Sequence, residues 1–471
     1  MSDAPHSSAP DDRDDRSWWH AVWAVTAAPV FRWWERLSAT SWWQAVWAVT
    51  AAFGAYFCMY GFRKPFTAAE YLDGDGGALA YKTVLVTSQV LGYTLSKFIG
   101  IRVVSEMPAR RRAAAGFGLV VVAELALLAF AITPRPWNAA WLFVNGLPLG
   151  MVFGMVLAPL EGRRLTEALT AGLCASFILA GGVMKSTGAW LLGQGVSEAW
   201  MPAAAGAMFL LPSAVFLSMI HVVKPPSQRD LEARSARSPM NREQRRRFLR
   251  QYGGAFIPIV VVFVLVTIIR SIRDDFAPEI WRALGQPAAP AVFTQTEFWV
   301  AVGVIAASAA TSFVRDNARG FVVSLLICLA GFGLMASGLV LQQRGLIDGF
   351  PFMVLTGLGL YLPYVIIHTT VFERLLALSR EPGTIAFLMY VADAFGYLGY
   401  VVVMLGRTFG AAAIGVEPAG ALSLFVGVAW TATLLSLVGL VVAWRLRPGR
   451  GGSEAVVAAQ GAALSESSVA G

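Results

Sequence analysis

Tyr56-Phe57-Cys58-Met59-Tyr60-Gly61-Phe62-Arg63-Lys64-Pro65-Phe66 is an apolar helical run that ends in two adjacent cations and a proline. Tyr56, Tyr60 and Arg63 stand at i, i+4 and i+7, so two phenols and a guanidinium share one helical face. Charges inside a helix of bilayer length are costly and point to a substrate or ion pathway. The alternative is that Arg63 and Lys64 cap the helix and snorkel to the headgroups. A second stretch, Thr267-Ile268-Ile269-Arg270-Ser271-Ile272-Arg273-Asp274-Asp275, sets Arg270 207 positions after Arg63 and favours the pathway.

The rest of the chain has the same character. Of its 471 residues 56% are hydrophobic and only 14% charged, with a mean hydropathy of +0.60. Soluble domains carry about 25% charged residues, so the composition indicates an all-α integral membrane protein. The net charge of +8 does not indicate nucleic-acid binding, because the cations lie mostly in short connections between apolar runs. Cys58, Cys174 and Cys328 all fall inside apolar segments, which argues against a disulfide framework or a metal site. Residues 1-17 are polar and acidic, unlike a cleavable signal peptide. HExxH, GxSxG and P-loop patterns are missing, so neither an enzyme nor a cofactor is expected.

Twelve spans are legible, at roughly 42-66, 82-104, 112-133, 137-159, 167-192, 200-222, 254-274, 294-314, 320-342, 350-371, 384-407 and 419-445. Upstream, Trp18–Ala28 recurs almost unchanged as Trp42–Ala52. The first copy is too short to span and reads as an interfacial helix or as a duplication without a role. Arg110 to Arg112, Arg163, Arg164, Arg315, Arg319, Arg374 and Arg380 lie in alternate connections. The 223-253 linker adds nine more cations, which places these connections and both termini in the cytoplasm, with the protein in the inner membrane. The expected organisation is a tail with an interfacial segment (1-41), a six-helix bundle (42-222), the basic linker (223-253), a second six-helix bundle (254-447) and a tail (448-471).

The halves also echo one another. Arg63 and Arg270 match at an offset of 207, Gly146 and Gly357 at 211, and Arg102 and Arg315 at 213. That spacing suggests a parallel repeat of two bundles.

Charged residues within the spans carry the expected chemistry. Lys97 continues a stripe from Gln89 and Tyr93; Glu124, Lys185 and Glu297 lie on spans three, five and eight. On span eleven Tyr390, Asp393, Tyr397 and Tyr400 share one face, and Asn145 and His368 add neutral polar groups. Glu124 could equally be a packing residue, and His368 a satisfied hydrogen-bonding group.

Twelve spans around a basic central loop resemble the major facilitator superfamily. Arg63-Lys64-Pro65-Phe66, Gly92-Tyr93-Thr94-Leu95-Ser96-Lys97-Phe98, and Arg270 with Asp275-Phe276-Ala277-Pro278 resemble the organophosphate:phosphate antiporters, which carry glycerol 3-phosphate and hexose phosphates. In those proteins the matching arginines grip phosphate. Leu160-Glu161-Gly162-Arg163-Arg164 and the stretch from Phe387 to Gly399 look more like a bacterial branch known only as a family of unknown function. The substrate-site histidine of antiporter helix five has no counterpart in Cys174-Ala175-Ser176-Phe177.

The resemblance implies a monomeric secondary transporter, an antiporter of a small organic anion, with Arg63 and Arg270 as ligands. Lys64, Lys97 and Lys185 would add positive potential, and Tyr56, Tyr60, Tyr93 and Tyr397 would bind polar groups of the substrate. Asp393, Glu297 and Glu124 are the gating or coupling candidates. Depth along the helices pairs Lys97 with Asp393 and Lys185 with Glu297, and alternating access leads us to expect at most one of these closed in a given structure. A non-transporting sensor and a lipid-modifying enzyme are the other readings.

Overall fold

A computed structural model describes residues 41–71, 78–107, 109–157, 159–160, 166–223, 242–311, 313–314, 316–379, 385–410 and 420–447. The expected N-terminal tail with its interfacial segment (through residue 40), residues 224–241 of the linker and the tail from 448 lie outside them. So do Arg163, Arg164, Arg315 and Arg380. The chain divides into a unit up to Trp47 and a unit from Ala48 onward, which holds every residue of the site below.

Among the described residues twelve long helices follow in order: α1 (Ser41–Met59), α2 (Ala78–Glu106), α3 (Ala109–Ile132), α4 (Ala139–Leu157), α5 (Thr166–Gly193), α6 (Met201–His221), α7 (Arg242–Asp275), α8 (Pro290–Thr311), α9 (Asn317–Gln343), α10 (Gly349–Ile366), α11 (Ile385–Leu405) and α12 (Ala421–Arg445). Eleven are long and apolar enough to cross a membrane. The twelfth, α2, has the length, with 29 residues or about 43 Å at 1.5 Å per residue, but it carries Lys82, Lys97, Arg102 and Glu106. The protein is thus a multi-pass, all-α membrane protein of two six-helix bundles.

Three boundaries differ from the expectation. Helix α7 begins at Arg242 rather than near 254, because the Phe248 ring packs against those of Tyr252 (tilted, centroids 5.5 Å apart) and Phe256 (edge-on, 5.8 Å) at i+4 and i+8. Their cohesion carries the helix into the arginine-rich linker, whose Arg246 and Arg250 stay exposed. Helix α1 stops at Met59 and tightens into 3₁₀ turns at Tyr60–Phe62 and Pro65–Ala68. Helix α10 runs through a five-residue π turn, Ile367–Val371, into the helix Phe372–Ser379.

Within the first half α4 packs on α2 and α3, and α6 on α3; within the second α10 packs on α8 and α9, and α7 on α11 and α12. The repeat is visible in glycine placement. A Cβ on Gly146 of α4 would meet the Gln89 carbonyl of α2 at 2.2 Å, and one on Gly357 of α10 would meet Val300 of α8 at 2.6 Å. The halves meet along two seams, α2 with α11 and α5 with α8.

Polarity is inverted relative to a soluble protein. Leu125, Leu211, Phe298, Trp299 and Val438 are exposed, whereas Arg63, Lys64, Lys97, Lys185, Arg270, Arg273, Asp274, Asp275, Glu297 and Asp393 are buried. Charged residues are almost never buried without partners in water-soluble folds. Here they line the seams.

Candidate substrate site between two ionic locks

The site starts where α1 unwinds. Irregular backbone at membrane depth is tolerated when side chains take up its polar groups. Asn145 donates Nδ2 to the Phe62 carbonyl at 3.1 Å and to the Ala123 carbonyl at 3.0 Å. Gln89 donates Nε2 to the Arg63 carbonyl at 3.1 Å and to Asn145 Oδ1 at 2.8 Å. These amides fix the turn that presents Arg63.

The Arg63 guanidinium lies on the Tyr93 face, with Cζ 4.0 Å from the ring centroid, and 5.3 and 5.6 Å from those of Tyr397 and Tyr60. It is 2% exposed; among the described residues its Nη1 has no hydrogen-bond partner and no acid pairs with it. Arg270, also 2% exposed, donates Nη2 to the Tyr397 hydroxyl at 2.9 Å and sits 4.7 Å from the Tyr364 ring. Its Nε has no partner among the described residues, and again no acid pairs with it. Both guanidinium carbons flank the Tyr397 ring, so they lie within about 11 Å of each other. Tyr56 meets the Tyr93 hydroxyl at 3.4 Å, and its ring packs edge-on against Tyr60, Phe153 and Phe177. Two guanidinium groups, one from each half, thus stand in an aromatic chamber with no acid paired to either among the described residues.

An ionic lock bounds the chamber on each side. On one side Lys97 donates to Asp393 Oδ2 at 2.9 Å across the α2–α11 seam, the partner expected from depth. On the other, Lys64 Nζ lies 2.5 Å from both Asp274 Oδ2 and Asp275 Oδ1. Lys185 of α5 bonds Asp274 Oδ1 and, at 3.0 Å, the Asp274 carbonyl. Tyr400 donates to Asp275 Oδ2 at 3.0 Å. Two lysines and two aspartates make that lock neutral. Helix α11 joins the levels: Asp393, Tyr397 and Tyr400 touch the first lock, Arg270 and the second lock in turn. The span is seven residues, or roughly 10 Å. Beyond the second lock Lys82 meets Glu279 at 2.6 Å, and Arg282 pairs with Glu70.

Several expected placements need correction. Lys64, expected at the substrate, is held by two carboxylates. Lys185 takes Asp274 rather than Glu297, and Glu297 instead accepts from Arg273 Nη1 at 2.6 Å within the second half. Arg273 also donates to the Met353 carbonyl at 2.8 Å, so the Glu297 carboxylate is spoken for within the second half although its stem packs against Gly182 of α5. Lys97 reaches the chamber edge, 5.2 Å from the Tyr93 ring, but its charge is matched by Asp393. Of the two expected pairs only Lys97–Asp393 is made; the second lock, on Asp274 and Asp275, was not foreseen, and it is closed together with the first, seven residues of a single helix reaching both. Glu124 stands apart on α3 against Gly206 of α6, with Oε2 lacking a hydrogen-bond partner among the described residues.

Sequence reasoning assigned no role to Asp274, Asp275, Tyr364 or Tyr361, whose ring lies 6.4 Å from that of Tyr364 and 6.5 Å from that of Phe177. The tandem acids one turn after Arg270, and two tyrosines one turn apart ahead of His368, were the available signals.

The architecture is shared with solved transporters. A crystal structure of a D-xylose–proton symporter superposes with a TM-score of 0.57 at 12% identity, covering 86% of this chain and 97% of that one. The proton:xylose symporter XylE bound to 6-bromo-6-deoxy-D-glucose gives 0.58 at 10% identity, covering 87% and 96%. At such identities the likeness is one of fold, the major facilitator superfamily fold. No curated protein matches the sequence. The profile of the family of unknown function DUF5690 does match, over residues 65–445, and the chain belongs to that family.

Proposed function

We propose that the protein is a secondary transporter of a small organic anion, a phosphorylated metabolite before a carboxylate, working by alternating access. The observation that carries this is the pair Arg63 and Arg270, one from each half, both buried and neither matched by an acid. An isolated buried charge costs several kcal/mol, and an anion that bridges the two would offset that cost while drawing the halves together. Planar guanidinium forks suit the oxygens of phosphate. The locks are then the two gates, released in turn as the halves rock about the chamber. The basic connections read from the sequence put both termini in the cytoplasm and the Lys97–Asp393 gate on the cytoplasmic side of the inner membrane.

The test is uptake of radiolabelled phosphate esters and carboxylates into proteoliposomes, preceded by a thermal-shift screen of the same compounds. Inorganic phosphate at millimolar levels is expected to compete with the substrate, and preloading with it to accelerate uptake by exchange. Binding of neutral sugars without any anion effect would overturn the reading.

A further inference from the structure

His368 is buried beside the Lys97–Asp393 lock, and the anion chamber gives it no task. It occurs in the π turn Ile367–Val371, and such turns inside α-helices are frequent at functional sites. Its Nε2 lies 3.4 Å from Asp393 Oδ1, while Asp393 Oδ2 is held by Lys97 at 2.9 Å. Neither Nε2 nor Oδ1 makes a well-aligned hydrogen bond among the described residues, so the carboxylate has one oxygen engaged and one facing the imidazole. Nδ1 stands 3.3 Å from the Tyr364 carbonyl, and the ring is wedged edge-on against Phe263 and Tyr364 at 4.5 and 4.8 Å.

The other groups around this triad are few. Helix α2 contributes Lys97 and Tyr93, whose ring is 5.2 Å from the Lys97 Nζ; α11 contributes Tyr390, whose ring is 5.4 Å from the Lys97 Nζ, and Tyr397 one turn on from Asp393; α5 contributes the buried Cys174 near Asp393. Helix α4 contributes Phe153, and α7 contributes Phe263 and, beyond the Tyr364 ring, Arg270. Among the described residues no side chain from α8 or α9 pairs with the imidazole.

We propose that His368, Asp393 and Lys97 form a proton-binding site that loosens this lock when occupied, so that anion movement is coupled to proton movement. The proposal rests on the reading of Lys97–Asp393 as a gate. With the imidazole neutral, Lys97 and Asp393 cancel. A proton taken from water onto Nε2 gives Asp393 a second cation to serve and leaves the cluster with one net positive charge. The hold on Lys97 weakens, and α2 can part from α11. Return of the proton to water restores the closed pair. No other group needs to change its protonation.

The experiment uses spin labels at Val103→Cys on α2 and Ala377→Cys on the helix after the π turn, both exposed positions beyond the lock, one in each half. The native Cys58, Cys174 and Cys328 are buried. Inter-label distances are measured in nanodiscs, without any anion substrate, from about pH 8 to about pH 5, the interval in which imidazoles titrate. The separated population is expected to grow several-fold towards low pH. His368→Gln should remain closed throughout, and Asp393→Asn should be separated at every pH. A distance distribution that does not move with pH in the parent protein overturns the proposal, as does a His368→Gln response equal to the parent's. Because no anion is present, a pH response without phosphate-induced thermal shift would sink the anion reading alone. Phosphate binding with a flat pH response would sink the proton site alone.

Discussion

Arg270 makes one side-chain hydrogen bond among the described residues, from Nη2 to the Tyr397 hydroxyl at 2.9 Å. Four of its five N–H donors therefore remain for the proposed anion. Tyr397→Phe should leave the fold intact and let the guanidinium wander. Hydrogen bonds to charged groups contribute about 1.5–3 kcal/mol, so affinity for inorganic phosphate, measured by thermal shift or calorimetry, should fall roughly tenfold or more. Unchanged affinity would remove Tyr397 from the site.

Arg63→Lys and Arg270→Lys keep the charge but lose the planar fork. Each should fold normally and lose most uptake in proteoliposomes, at least about tenfold, which is roughly 1.4 kcal/mol of recognition. Near-normal uptake by both variants would make these arginines structural cations.

Lys97→Asp and Asp393→Lys each leave two like charges facing across the α2–α11 seam. Breaking a buried pair from one side costs about 3–5 kcal/mol, so each single variant should melt lower and lose transport. The double exchange should recover a large part of both, read by thermal melting and uptake. A double variant no better than the singles would show that these residues do not act as a pair.

The second lock sets Asp274, and not the expected Glu297, against Lys185. Asp274→Asn strips the shared partner from Lys64 and Lys185 and should expose that side of the chamber, read as faster alkylation of a reporter cysteine placed there. Glu297→Gln affects only Arg273 within its own half and should leave alkylation as slow as in the parent. The reverse pattern would restore the Lys185–Glu297 gate.

Arg63 and Arg270 stood out in the sequence because few side chains are as costly in hydrocarbon as arginine, and the structure buries both. Lys97 and Asp393 were legible because residue counts along a helix fix depth at 1.5 Å per step. What a count cannot give is azimuth. Arg273 and Asp274 are adjacent in sequence but stand about 100° apart around α7, given 3.6 residues per turn. One therefore turns to Glu297 and α8 while the other meets Lys185 on α5. The true start of α7 was hidden for a similar reason. Its arginines read as a linker, and the ring stack under them becomes evident only when Phe248 is followed down the face to Phe256.

The seven residues of α11 that connect the two locks have an electrical consequence. On the proposed gating, the barrier comprises the roughly 10 Å between the locks and the Lys82–Glu279 and Arg282–Glu70 pairs beyond the second, and the membrane voltage falls across it. One elementary charge crossing the full potential carries about 2.3 kcal/mol per 100 mV. The proposed anion, advancing by only a helical turn or two through this chamber, would therefore traverse a sizeable part of the field. Its movement should register as a current even though the ion itself hardly travels.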